Sequence, residues 1–380
     1  MGFGPVRPKI HRLKPAPLQP VRPQLFIERG DSVKCGGNIF PAHWEESAIV
    51  KTIRLGLNGP VVSQIGLGCM AMSDMYGPSD ESESIATIHA ALDAGINMLD
   101  TGDFYGMGHN EMLIRRAIEG RRKDVFMAVK FGAMRGPDGS FTGYDLRPEA
   151  VKNFLAYSLR RLGTDYIDLY QPSRVDTRTP IEETYGTLAG LVQAGYVRHI
   201  GISEASAATI RKAYKAAPIV ALQIEYSLVS RGAEATILPA ARELGMGITA
   251  YGVLSRGLLS GSPVTSPKDI RSHMPRFRGE NYEKNQALVG TLSGIAASKN
   301  ATASQVAIAW AMSRGADIVP LIGARRRAQL AESLKALDLK LTAEDLAQIE
   351  RAVPADAVAG TRYGEEQMRW LDSEKPATQP

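Results

Sequence analysis

A short apolar run followed by a helix-like segment recurs eight times between Lys51 and Leu337, and few folds can use such a pulse. The apolar runs end at Leu67, Leu99, Ala128, Tyr170, Ile202, Ile224, Tyr251 and Ile322. Helical periodicity follows over 82–94, 109–120, 148–162, 180–194, 206–217, 233–244, 285–315 and 325–337. The runs are rich in Val, Ile and Leu and do not alternate with polar residues, which is the pattern of parallel strands covered on both faces. Pro148-Glu149 and Pro180-Ile181-Glu182 suit first helical turns, while Gly95, Gly163, Gly195 and Gly245 suit helix ends. Eight such units predict an α/β fold, a (β/α)8 TIM barrel. Ile53–Leu57, Asn58-Gly59 and Val61–Gly68 predict an N-terminal β-hairpin ahead of it. Asp338–Val353, with its Thr342-Ala-Glu-Asp start, predicts an extra C-terminal helix. A doubly wound dinucleotide fold is the rival, because Gly66-Leu-Gly68-Cys-Met-Ala71 satisfies G-x-G-x-x-A. That fingerprint requires a helix to start at once, and here residues 72–80, with Pro78, intervene.

Outside the pulse the chain reads differently. Residues 1–50 are proline-rich, without periodicity, and hold +3 of the net +5 charge, which predicts a disordered basic extension. The barrel domain is expected over 51–372, with a tail over 373–380. Pro17-Leu-Gln-Pro20-Val-Arg22 matches a ligand of aromatic-grooved domains, a hexapeptide common by chance. The near-neutral body argues against a nucleic-acid partner, and no run approaches the roughly 20 apolar residues of a membrane span. No apolar stretch of a secretory signal follows the basic start. Two cysteines, Cys35 and Cys69, make no disulfide framework, and a cytoplasmic location is expected. One sequence leaves the oligomeric state open.

In a barrel, functional groups gather on the carboxyl ends of the strands. Those ends supply Asp100 and Tyr105, then Lys130, then Gln171-Pro172-Ser173-Arg174. Lys130 lies in an apolar strand, Val125–Gly132, where a bare ammonium is costly, so it calls for a carboxylate, and Asp100 stands on the neighbouring strand. A lysine beside Tyr105 would lower the phenol's pKa and make it a usable general acid. A structural Asp–Lys pair with Tyr105 as loop packing fits the same residues, which leave both open.

Further strings point one way. Leu99-Asp100-Thr101, Tyr105-Gly106-Met-Gly108-His-Asn110-Glu111, Val129–Gly132, Gly201-Ile-Ser203-Glu204, Gln223-Ile-Glu-Tyr226-Ser227, Ala250-Tyr251-Gly252 and Leu321-Ile-Gly323-Ala324-Arg325 occur in order. The chain in this respect resembles the aldo-keto reductase superfamily, most of all bacterial and plant members with the Gly68–Ser73 string Gly-Cys-Met-x-Met-Ser. The resemblance implies reduction of aldehydes or ketones by NADPH, a small carbonyl compound being the partner. Tyr105 would be the general acid, tuned by Lys130, which Asp100 holds. Ser203, Glu204 and Gln223 would hold the nicotinamide carboxamide and Tyr251 would stack on its ring. Gly252, Leu254 and Gly257 would wrap the pyrophosphate. Gly323 would also bind the cofactor, Arg325, Arg326 and Arg327 at the start of the last barrel helix suit its 2′-phosphate, and Gln329 and Glu332 would contact the adenosine, where Ser333 replaces a usual Asn. Met72, Phe104, Arg174 and also Arg256 would line the substrate pocket.

One position departs from the family pattern. Ser173 stands in the Tyr170–Asp176 string where relatives carry a catalytic histidine. Serine can donate a hydrogen bond but cannot carry a proton at neutral pH. An altered substrate range or rate is expected. His109 and His199 read as structural, no pair of residues has metal-ligand spacing, and no metal is expected. Two other functions stay compatible: an NADPH-binding regulatory or interaction protein with little turnover, and a pyridoxal-reductase type of enzyme.

Overall fold

The computed structural model describes residues 50–375, apart from 265 and 268. The expected extension before Val50, with its proline-rich ligand motif, and the end of the tail at 376–380 lie outside the described residues.

Two short strands come first, β1 (Thr52–Arg54) and β2 (Val61–Ser63), antiparallel with Thr52 opposite Ser63 and Arg54 opposite Val61. The expected hairpin is thus present, but residues 55–60 connect it, so Asn58-Gly59 lies inside a longer loop than a two-residue turn. The loop exists to bury something. Leu55 and Val62 are fully buried among Met98, Phe126 and Leu169, closing the amino end of the barrel. Each such side chain contributes roughly 1.5–3 kcal/mol. Gly56 makes the approach possible: its φ is 77°, and a Cβ there would stand 2.6 Å from the Gly245 carbonyl oxygen.

The barrel strands are β3 (Gly66–Gly68), β4 (Met98–Gly102) and β5 (Phe126–Phe131), then, after a hairpin of β6 (Ala133–Arg135) and β7 (Phe141–Tyr144), β8 (Ile167–Pro172), β9 (Val197–Ser203), β10 (Ala221–Glu225), β11 (Gly247–Tyr251) and β12 (Ile318–Gly323). They close in the order β3-β4-β5-β8-β9-β10-β11-β12 and back to β3, every pair parallel. Around them stand α1 (Glu81–Asp93), α2 (His109–Ala117), α3 (Pro148–Leu162), α4 (Ile181–Gln193), α5 (Ala207–Ala216), α6 (Ile237–Glu243), α7 (Gly279–Ala297), α8 (Ala303–Ser313) and α9 (Arg327–Leu334). The segment expected as one helix over 285–315 is two. Asn300 turns left-handed (φ 53°), and Thr302 with Gln305 forms a reciprocal cap that starts α8 afresh. The extra C-terminal helix is α10 (Ala343–Ala352), capped by Thr342 with Asp345. A short α11 (Glu365–Arg369) follows. No described helix is long and apolar enough to cross a membrane.

Strand alternation explains what reaches the barrel mouth. Outward residues such as Leu99, Met127, Val129 and Ile202 pack in the layer between strands and helices. Inward residues Met98, Phe126, Ala128, Leu169, Ala221, Val319 and Leu321 fill the lower interior. Two residues further along the same inward lines come Asp100, Lys130 and Gln223.

Candidate active site

At the carboxyl end of the strands the barrel opens into a groove of about 1200 Å³. Its floor carries one polar constellation. Lys130 Nζ donates to Asp100 Oδ1 at 2.5 Å, and Gln223 Nε2 donates to Asp100 Oδ2 at 2.7 Å. Both charged side chains are buried, 6% and 7% exposed, so neither charge could sit there alone. The Lys130 ammonium lies 5.3 Å from the centre of the Tyr105 ring, which meets Phe104 edge to face at 4.8 Å.

The turn that delivers Tyr105 is unusual. Gly106, Met107 and Gly108 have φ of 55°, 52° and 95°, and Met107 adopts the left-handed region without being glycine. Asn110 holds this turn down, donating to the Cys69 carbonyl and to Ser73 Oγ while accepting from Thr101 Oγ1 at 2.6 Å. His109 Nδ1 is 3.0 Å from Ser73 Oγ, a packing role as expected.

The lowering of the Tyr105 phenol expected from Lys130 is not what the structure has. Burial first, and then the Asp100 carboxylate and Tyr363, push it well above the ordinary phenol range, with Arg174 pulling the other way. The Lys130 ammonium is paired with Asp100, the carboxylate that raises the phenol. A phenol in this state is protonated at neutral pH, as an acid must be before it acts.

The other expected residues divide into two groups. Ser203 and Tyr251 line the groove with Phe104 and Arg174. So do Gly252, Leu254, Gly257 and Gly323, and beyond them Arg325, Arg326, Gln329 and Glu332. Met72, Ser173 and Glu204 do not line it: each is buried, and Ser173 is 2% exposed with no hydrogen-bond partner for its hydroxyl. Glu204, expected at the carboxamide, points elsewhere. Its carboxylate takes Arg362 Nη2 at 2.6 Å, Ser373 Oγ at 2.6 Å and the Tyr251 hydroxyl at 2.9 Å. Burial opposes its charge, but Arg362, with Arg174 and Ser373, more than offsets it and holds the carboxyl well below the usual carboxylate range.

Arg362 and Tyr363 were missed from sequence, together with Glu225. Residues 354–375 cross the mouth, and Arg362 reaches both Glu204 and, at 3.2 Å, Glu225, which Arg256 also binds at 2.8 Å. Tyr363 lines the groove, its hydroxyl 3.2 Å from that of Tyr251. No local pattern marks these residues, because Arg362 lies 158 positions from Glu204 and 137 from Glu225, and Tyr363 112 from Tyr251.

Whether the residues suit a nicotinamide dinucleotide can be tested on orphaned polar atoms. The hydroxyls of Ser203 and Ser255 are buried with no partner in the protein. Ser203 also lines the groove, so its hydroxyl is placed for a ligand, whereas Ser255 lies behind the lining segment 252–257. The chain at 252–257 has four left-handed residues, Gly252, Ser255, Arg256 and Gly257 (φ 66°, 46°, 55° and 91°), the backbone of a close approach. The fit is good. Among the described residues no three His, Cys, Asp or Glu side chains are grouped to hold a metal.

Comparison with known proteins agrees. The sequence pattern of the Aldo/keto reductase family matches residues 64–354. The chain belongs to this family. It is 41% identical over 339 residues to a probable aldo-keto reductase 1 of Glycine max, covering 87% of this chain and 97% of the relative. Among solved structures it is similar to a glycerol dehydrogenase from Gluconobacter oxydans (29% identity, TM-score 0.72, 87% of this chain and 98% of that one). It is also similar to a holo aldo-keto reductase from Bacillus halodurans (30% identity, TM-score 0.68, 80% and 97%). The chain is accordingly an oxidoreductase acting on small carbonyl compounds with a nicotinamide cofactor.

Proposed function

We propose that this aldo/keto reductase reduces aldehydes and ketones with NADPH, Tyr105 acting as the general acid, in the cytoplasm. The buried Lys130–Asp100 pair beside Tyr105 on the groove floor carries the reading. A reduced nicotinamide, when bound, would supply hydride chemistry. Tyr105 gives its proton to the carbonyl oxygen as negative charge develops there, and the Lys130 ammonium stabilises the phenolate left behind. Asp100, fixed by Gln223, keeps Lys130 in place and makes its burial tolerable. Ser203 and Gln223 would hold the carboxamide, Tyr251 would face the ring, and 252–257 would take the pyrophosphate. Arg325 and Arg326 at the start of α9 support a preference for the 2′-phosphate.

The test is the loss of absorbance at the nicotinamide band with NADPH and 4-nitrobenzaldehyde. Tyr105→Phe is expected to lower kcat about 10²–10⁴-fold, the range for losing a positioned acid, while NADPH still quenches protein fluorescence. A Tyr105→Phe protein turning over at the wild-type rate overturns the assignment.

A further inference from the structure

Most buried guanidiniums at the groove are neutralised by carboxylates. Arg256 pairs with Glu225 at 2.8 Å, Arg362 with Glu204 at 2.6 Å, Arg271 with Asp269 at 2.6 Å, and Arg276 with Glu225 at 3.6 Å. Two others are not. Arg174 donates to the Ser173 carbonyl at 2.6 Å and to the Tyr363 hydroxyl at 3.1 Å, both uncharged oxygens. Arg135 makes one long bond, 3.4 Å, to the Gly139 carbonyl, and its Nε is buried with no partner. Among the described residues no carboxylate oxygen lies within 4.0 Å of either guanidinium. Both line the groove.

The topology sets them on one side. Tyr105 follows β4, Arg135 ends the hairpin strand after β5, and Arg174 follows β8, and β4, β5 and β8 are consecutive in the barrel. Arg174, Arg135 and Tyr144 line the same groove as Tyr105, and the charges of both arginines bear on Tyr144. Phe104, Phe141 and Tyr144 give that space an aromatic wall. Glu365 and Glu366 reach only the exposed rim, where water screens them, and Glu365 is already paired with Arg369 at 2.5 Å. Arg174 and Arg135 are half-buried; a cation even partly withdrawn from water without a close counter-ion is costly, and a guanidinium fork matches a carboxylate.

We propose that Arg174 and Arg135 form an anion-holding end of the substrate site, making carbonyl compounds that also bear a carboxylate, across an apolar or aromatic spacer, the preferred substrates. This rests on the reductase reading above. The planar forks hold the carboxylate while the carbonyl at the far end of the spacer lies at Tyr105.

The experiment compares 4-formylbenzoate with its methyl ester on the NADPH-loaded enzyme. The acid is expected to have at least about a tenfold higher kcat/KM, gained in KM, as one charge-assisted pair provides. Arg174→Gln and Arg135→Gln should each reduce that acid-to-ester ratio about tenfold, with Arg174→Lys intermediate. The ratio within one preparation does not depend on how much of a variant is folded. Benzoate should also raise the melting temperature of the NADP+-loaded protein more than benzamide does, and less so in the variants. Equal kcat/KM for acid and ester in the wild type, or a ratio unmoved by both substitutions, overturns the anion site alone. If neither aldehyde is reduced by the wild type, the reductase reading falls and takes the anion site with it.

Discussion

A carboxylate at position 204 is tolerable inside the protein only because Arg362 reaches it. The pair is 7% and 0% exposed, and Glu204 additionally accepts from the Glu225 backbone amide at 3.0 Å, so its lone pairs are satisfied. Removing one member of such a pair leaves the other charge buried and uncompensated, which costs about 3–5 kcal/mol. Arg362→Met strips both Glu204 and Glu225 of a partner and belongs at the top of that range. Urea unfolding at pH 7 should show a lower midpoint at unchanged slope, with the unfolding free energy reduced by this amount. A shift below about 1 kcal/mol would mean that residues 354–375 are only laid over the mouth and not fastened to it. Ser173 teaches the complementary point. Its hydroxyl is buried and it does not line the groove, which is furnished there by Arg174 and Tyr363, whose phenol Arg256 and Arg174 hold below its ordinary range against the effect of burial.

The start of α9 shows how one element sorts three identical neighbours. Arg325 spends its guanidinium on the carbonyls of Tyr76, Gly77 and Pro78, the shortest at 2.9 Å, and Arg327 pairs with Glu83 at 2.9 Å. Arg326 is exposed on the groove and bound to neither. The 2′-phosphate preference should therefore rest mainly on Arg326. Arg326→Ala is expected to weaken NADPH about tenfold and NADH less than about twofold, whereas Arg327→Ala leaves the ratio unchanged; fluorescence titration of both nucleotides checks this. Elements were legible in the sequence wherever one local rule acted alone. The barrel strands announce themselves by unbroken apolar runs, and α3 and α10 by Pro148 and Thr342. The β6–β7 hairpin was not legible, because Gly136-Pro-Asp-Gly139 and its flanks carry Met, Arg and Ser without alternation, and the strands are held only by each other. Lys130 with Asp100 was readable because both sit on strands whose neighbours are fixed by the barrel order. Arg362 with Glu204 was not, because 158 residues separate them and no periodicity links the two.

Across the whole molecule, buried carboxyl groups pull stability in opposite directions with pH. Glu204 and Glu225 must be ionised to meet their arginines; burial opposes this, and for Glu225 the guanidiniums of Arg256 and Arg362 still bring it to about 2. Such depressed groups contribute stability above the unfolded value, near 4.3, that is lost as pH falls through the folded one. Asp103 does the reverse. Neither of its carboxyl oxygens makes a well-formed hydrogen bond, and burial, then the nearby Glu111 charge, raise it well above its ordinary range, while Arg161 and, less, the backbone amides of Gly132 and Phe104 pull it down. Its contribution is complete below about pH 4 and is lost as pH rises toward the folded value. Asparagine has nearly the same shape and cannot ionise, so Asp103→Asn escapes that loss. The variant should match the wild type most closely near pH 4 and gain on it as pH rises, by up to about 1.4 kcal/mol per unit, until the native carboxyl itself ionises. Urea unfolding of both proteins at pH 4, 5.5 and 7 measures the difference. A gap that stays constant across these pH values would mean that Asp103 finds a partner or water in solution, and that the acid-side loss from Glu204 and Glu225 alone shapes the profile.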